Sequence, residues 1–140
     1  MATIQKAGNV KPSTIVLGLP ADGKTTAIME EIERRDFNPL WIVFGNITVV
    51  SEKHPEWDAL VVNNWYEMNA AYNEMRSGKI DISGYDVVVI EGLGYAATMA
   101  LMDAIAKSSN NNQQAAYLAM GREMNAILAG LRDLFGAIFV

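Results

Sequence analysis

The chain is 140 residues long, 51% hydrophobic, and carries a formal net charge of −5 at a pI near 4.8. That length is one domain's worth, with enough apolar residues for a core; the acidic balance lacks the basic footprint of a protein that grips a phosphate backbone over a broad face. Zero cysteines exclude disulfides and thiolate metal sites, a single histidine (His54) argues against zinc, and no apolar run approaches the length of a membrane span.

The opening segment, MATIQKAGNV, has no apolar stretch after its lysine and reads as no secretory signal. The expectation is a soluble cytoplasmic domain without a membrane partner. Residues 14–18 (TIVLG) form a short β-branched apolar run that ends at once in a glycine-bearing loop. Residues 24–35 read as a helix, with Ile28 and Ile32 on one face and Glu30, Glu31, Glu33 and Arg34 elsewhere. Residues 40–44 (LWIVF) make a buried strand opened by Pro39 and stopped by Gly45 and Asn46, and residues 59–62 suggest a further short strand.

Trp65, Met68, Tyr72 and Met75 fall on one stripe of an amphipathic helix, with Gly78 as its C-terminal cap. Residues 87–90 (VVVI) are the most β-branched run, of the kind found in strands covered on both faces. Residues 96–107 read as a helix carrying Met99, Met102 and Ile105, and residues 108–114 as a polar loop. A long helix is expected over 115–134, ended by Gly136, with a last strand over 137–140. Strands separated by helices imply crossovers and a mostly parallel sheet between helical layers, a three-layer α/β/α domain occupying residues 1–140.

Gly18-Leu19-Pro20-Ala21-Asp22-Gly23-Lys24-Thr25 fits G-x-x-x-x-G-K-[ST] at every fixed position. A chance match in a chain of this size arises on the order of once in 200 sequences, and this one also sits between an apolar strand and an amphipathic helix. The pattern follows from phosphate chemistry. Glycines let the loop turn successive backbone N–H groups inward, and the following helix adds its positive dipole end. Gly18, Pro20, Ala21, Asp22, Gly23, Lys24, Thr25 and Thr26 are therefore the expected binding residues for ATP or ADP. Lys24 would supply a cation to the β- and γ-phosphates, and the Thr25 hydroxyl would be a ligand of Mg²⁺. Asp22 is the discordant residue: a carboxylate inside such a loop turns outward or weakens anion binding.

Such a site needs a second acid at the end of a neighbouring strand. Glu91, which ends VVVIE, is the candidate, although Asp is usual there and the plainer reading is a residue opening a solvated loop with Gly92. Asp86 starts the same strand, at the opposite end of the sheet, and is rejected.

With both motifs placed, the chain resembles the RecA-like P-loop ATPases, and among them the small phage AAA-domain proteins of single-strand annealing and recombination. TIVLGLPADGKTT, LWIVF, the helix from Trp65, GYDVVVIEGL and GREMNAILAGLRDLFGAIFV carry the resemblance over nearly the whole chain, and only the phosphate loop is highly specific. It implies a sheet whose last strand (137–140) inserts between the first strand and VVVIE. It also implies attack of water on the γ-phosphate, with Lys24 and Glu91 as the catalytic residues and Thr25 and Glu91 holding Mg²⁺. Single-stranded DNA as a partner, and a host cytoplasm as location, rest on the resemblance alone.

Three departures matter. The acid that activates water after the second strand is replaced by Gly45-Asn46-Ile47-Thr48, with no acid until Glu52. Glu91 stands for Asp. The chain stops at Val140, inside the last strand, so a fifth strand is expected to be missing. A non-catalytic assembly component that keeps the fold is therefore the competing reading, and a small-molecule kinase ranks last for want of an arginine-rich lid. If the last strand is central, the first becomes an edge, to be covered by a second copy, by a partner, or by residues 3–10.

The remaining residues read as structure. The eight methionines suit core filling. His54 reads as a surface loop residue before a general base, Trp41 as strand core, and Trp57 and Trp65 as packing before base stacking. Arg122 and Arg132 read as solvated positions before arginine fingers.

Overall fold

The computed structural model describes residues 2, 4, 6, 13–14, 23–44, 49–108, 112–136 and 138–140. Along the chain these form β1 (Ser13–Thr14), α1 (Lys24–Arg35), β2 (Pro39–Phe44), α2 (Val49–Lys53), β3 (Asp58–Val62), α3 (Trp65–Ser77), β4 (Val87–Glu91), α4 (Leu93–Lys107), α5 (Gln113–Phe135) and β5 (Ile138–Phe139). The five strands make one parallel sheet in the order β1-β5-β4-β2-β3.

The apolar runs explain the middle of that sheet. All six residues of β2 are buried, as are the first four of β4, because both faces of these strands are covered and neither alternates with polar residues. Leu40, Ile42, Phe44, Val88 and Ile90 face one core with Trp65 and Met68 of α3, Ala96 of α4 and Ile127 and Leu131 of α5. The intervening Trp41, Val43, Val87 and Val89 face a second core with Ile28, Met29 and Ile32 of α1 and Val50 of α2. The sheet thus lies between two helical layers. The chain travels from β1 to β3 with α1 and α2 on one face, then returns to β5 with α3 to α5 on the other. Crossovers of one hand require this reversal of face.

Local signals set several helix ends. The Asn64 side chain accepts from Glu67 N at 2.8 Å, and the Glu67 carboxylate accepts from Asn63 N at 2.7 Å, a reciprocal cap on α3. Asn112 caps α5 by accepting from Ala115 N, and Gly136 closes that helix by donating from its N–H to Arg132 O. The N-terminal edge of the sheet is laced by polar contacts. The Asp86 carboxylate accepts from Asn38 N and Asp86 N donates to Asn38 O, both at 2.8 Å. Tyr85 donates to Asp58 at 2.5 Å, and that carboxylate pushes the phenol up to about 12.

Ile138 pairs with both Ser13 and Val88, so the last strand does insert between β1 and β4, and among the described residues β1 is the edge. The segment 59–62 is a strand, β3, at the far edge beside β2. Three boundaries differ from expectation. The helix expected over 96–107 begins at Leu93, directly after Gly92, because its buried stripe is Ala96, Ala100 and Ala104 and not the methionines. Gln113 and Gln114, expected in the loop, belong to α5, since Asn112 supplies the cap that a polar tract conceals. The five-residue α2 lies in a stretch read as loop, too short for a helical period to show. Residues 15–18 and most of 3–10 fall outside the described residues, and with them the remainder of the first strand and any covering of its edge. Among the described residues no helix is long and apolar enough to cross a membrane.

Candidate functional site

The C-terminal edge of a parallel sheet is where helix N-termini and strand ends converge, and ligands bind there in open α/β folds. Here α1 begins beyond β1 and Glu91 closes β4, with β5 between the two strands. The Thr25 hydroxyl, in the first turn of α1, donates to Glu91 Oε1 at 2.8 Å across 66 residues of sequence. Both side chains are half-buried.

Gly23 occupies the N-cap of α1 in the left-handed region, with φ of 82°, and the cap carries no side-chain hydrogen bond. The first turn holds no acid. Helix geometry leaves the first-turn N–H groups without intrahelical acceptors, so the dipole end of α1 is presented without a carboxylate of its own to neutralise it. Lys24 and Thr26, also in this turn, are half-buried. Gly18, Leu19, Pro20, Ala21 and Asp22 lie outside the described residues, and the path of the loop with them.

Glu91 is held in place by the residue that follows it. Gly92 adopts φ of 87°, and a Cβ there would lie 3.0 Å from the Phe44 carbonyl oxygen and 3.4 Å from Phe44 Cβ. A side chain is excluded both by backbone conformation and by the end of β2. Glycine lets the chain turn from β4 into α4 within one residue, which fixes the carboxylate beside α1. A glycine straight after the candidate acid was the sequence signal for this close approach, and only the structure identifies Phe44 as its neighbour.

Hydroxyl and carboxylate oxygens are hard donors that suit Mg²⁺. That ion is usually held by one or two protein ligands together with phosphate oxygens and water. The pair fits such a metal on this chemistry, and among the described residues no cluster of three His, Cys, Asp or Glu offers a cage independent of phosphate. The rejected acid, Asp86, is tied to Asn38 at the opposite edge.

Other expected residues fall where packing wants them. Trp41 and Trp65 are 0% and 3% exposed, which removes both from base stacking. Trp57 stacks on Trp41 with ring centroids 6.2 Å apart. Arg122 and Arg132 are exposed, the latter beside Asp133. His54 lies in a loop after α2, as expected, but is held more firmly than a solvated surface residue. Its side chain is only 20% exposed and is braced by Glu33 of α1 at 2.5 Å and Glu56 at 2.8 Å. The ring stacks on Trp57 with centroids 3.7 Å apart. The methionines divide: Met29, Met68 and Met75 are core, whereas Met102 is 66% exposed.

Compared with known proteins, the chain matches no protein-family model, no curated sequence and no solved structure.

Proposed function

We propose that the chain is a nucleotide-binding domain that holds Mg-ATP or Mg-ADP between the loop 18–25 and Glu91. The observation that carries this reading is the 2.8 Å contact between Thr25 and Glu91. Two residues singled out for one metal, by separate sequence arguments, are neighbours at the sheet's C-terminal edge. In this reading the backbone N–H groups of 23–25 and the Lys24 ammonium bind the phosphates, while Thr25 and Glu91 orient the metal, which neutralises phosphate charge when bound.

The wider proposal is a RecA-like ATP-binding domain from a phage-type recombination system. The sequence resemblance supports it, as does a strand order that leaves one strand between β1 and β4. A second reading, an assembly component that binds nucleotide without turning it over, is favoured by one feature. Residues 45–48, straight after β2, contain no acid, and the next one, Glu52, is exposed on α2.

Equilibrium dialysis with labelled ATP tests the binding. Saturable, Mg²⁺-dependent uptake of one nucleotide per chain, lost in Lys24→Ala, is expected. Uptake that Lys24→Ala leaves unchanged would refute the site. A phosphate-release assay with and without single-stranded DNA separates the two readings.

A further inference from the structure

β3 (Asp58–Val62) ends the sheet on the side away from β1, and all five of its residues are described. It pairs with β2 in unbroken parallel register, from Leu40↔Asp58 to Phe44↔Val62, and with no other strand among the described residues. The backbone N–H and C=O groups that point away from β2 therefore form a bare edge about 17 Å long. Native proteins blunt such edges with proline, lysine, a bulge or a covering element. The run Asp58-Ala59-Leu60-Val61-Val62 has neither proline nor lysine, and its register has no bulge.

One helical layer also stops short of it. Trp41 and Val43 of β2 lie beneath α1 and α2 and are 0% and 1% exposed. Their partners on β3, Ala59 and Val61, point to the same face and are exposed, Val61 by 43%. On the other face Leu60 and Val62 belong to the core that holds Trp65 and Met68 of α3. The edge is thus bare in its backbone and apolar along one face.

Charge selects how a strand of the same sequence can lie against it. Glu56 precedes β3 and Asp58 opens it, whereas Asn63 and Asn64 follow. Parallel addition sets acid against acid, which opposes pairing, and antiparallel addition sets each acid against neutral residues. The Asp58 carboxylate is moreover tied to Tyr85, whose hydroxyl donates to it at 2.5 Å. Antiparallel pairing about a twofold axis at Leu60 puts Asp58 opposite Val62, Ala59 opposite Val61 and Leu60 opposite itself. Opposed residues then point to the same face, as the pleat requires. Ala59 and Val61 of both copies join in one apolar strip, and roughly four to six backbone hydrogen bonds close the seam.

We propose that β3 is the docking edge for a second copy of this chain, the two β3 strands pairing antiparallel about Leu60 and joining both five-stranded sheets into one. The contact is one strand wide, below the standard interface size, so the dimer is expected to form in the micromolar range. Being isologous, it closes at two copies. It does not depend on the nucleotide reading.

Sedimentation velocity on the full chain from about 2 to 200 µM tests it, a range set by the small interface. The sedimentation coefficient should rise with concentration to that of a dimer and stop there. Val61→Lys, which places an edge-blunting charge in the apolar strip, should weaken association by about tenfold or more. Leu118→Glu, at an exposed position on α5, should leave it unchanged. The chain has no cysteine, so crosslinking with oxidised glutathione can read the register. Leu60→Cys should yield a disulfide-linked dimer, because directly opposed residues lie within reach of a disulfide. Ala59→Cys should not, although Ala59 is the more exposed of the two, because the two copies of Ala59 stand only diagonally across the seam. A chain that stays monomeric, growth beyond the dimer, a dimer that Val61→Lys weakens no more than Leu118→Glu does, or equal crosslinking of the two cysteine variants overturns the proposal. If a variant fails to fold, hydrogen exchange of the wild-type chain decides the matter. Protection of residues 58–62 should grow with concentration, and constant protection overturns the proposal.

Discussion

The hydroxyl of Thr25 donates to the carboxylate of Glu91 at 2.8 Å, joining the first turn of α1 to the last residue of β4. A hydroxyl that must donate to a carboxylate is oriented with its lone pairs free to accept or to coordinate, so the bond positions both groups before any ligand arrives. Replacing the carboxylate by an amide keeps an acceptor for Thr25 while removing the charge that a divalent cation requires.

Glu91→Gln should therefore leave the fold nearly intact and lower Mg²⁺-dependent nucleotide affinity by roughly tenfold or more, as loss of a charged metal ligand does. Asp86→Ala should do the reverse. It removes the acceptor for Asn38 N and costs about 1 kcal/mol of stability, with nucleotide affinity unchanged. Chemical denaturation and nucleotide titration on both variants check the pair. Equal effects on affinity would show that the second acid is misplaced.

Gly92→Ala should be costlier than Gly78→Ala. Both positions have φ above 80°, but a Cβ at Gly78 meets nothing within 4 Å, whereas at Gly92 it meets the Phe44 carbonyl oxygen at 3.0 Å. Each variant loses about 1 kcal/mol or more for the left-handed backbone, and only Gly92→Ala adds steric strain and displaces Glu91. Urea unfolding should rank the two, and Gly92→Ala alone should weaken nucleotide binding.

The two glycines inside α5 should respond with opposite signs. A Cβ on Gly130 would collide with the Tyr72 phenol, while one on Gly121 meets nothing within 4 Å. Gly121→Ala should gain up to about 1 kcal/mol in helix propensity. Gly130→Ala should lose about 1–2 kcal/mol after the same gain is set against overpacking. Melting temperatures of the two variants on either side of wild type are the expected result.

His54 should make stability depend on pH. Its pKa is raised, first by the hydrogen bond to Glu56, with burial opposing and Glu33 of α1 adding to the rise. The folded-state value lies above the unfolded value near 6.5. The contribution of the brace is therefore fully present below that pH and is lost as pH rises through the folded-state pKa. The melting-temperature gap between wild type and His54→Gln should be larger near pH 6 than near pH 9, pH values chosen on either side of the raised pKa. A gap that does not change with pH would assign the loss to stacking on Trp57 alone.

Much of this architecture was legible in the chain because its cues are local. LWIVF and VVVIE read as strands from composition; of the run TIVLG only Thr14 lies within the described residues, where it pairs in β1. The helices at 24–35 and 65–77 declared themselves through an apolar stripe and, for the latter, Gly78. Glu91 was found because it ends the most apolar strand. What escaped depends on tertiary neighbours. His54 becomes braced only because α2, unseen in the sequence, carries it back to Glu33. α4 starts earlier than its methionines suggest because its buried residues are alanines, which carry little signal in a periodicity. Met102, placed in the core by its spacing, faces outward for the same reason.

The central claim is that loop 18–25 and Glu91 hold a magnesium nucleotide, and thermal melting with and without millimolar Mg-ATP or Mg-ADP tests it most directly. A ligand at a hundred times its Kd adds about 2.7 kcal/mol, which in a domain of this size raises the melting temperature by roughly 5–11 °C. Lys24→Ala should abolish the rise while melting near the wild-type temperature without ligand. No rise at millimolar nucleotide, or an undiminished rise in Lys24→Ala, would contradict the account.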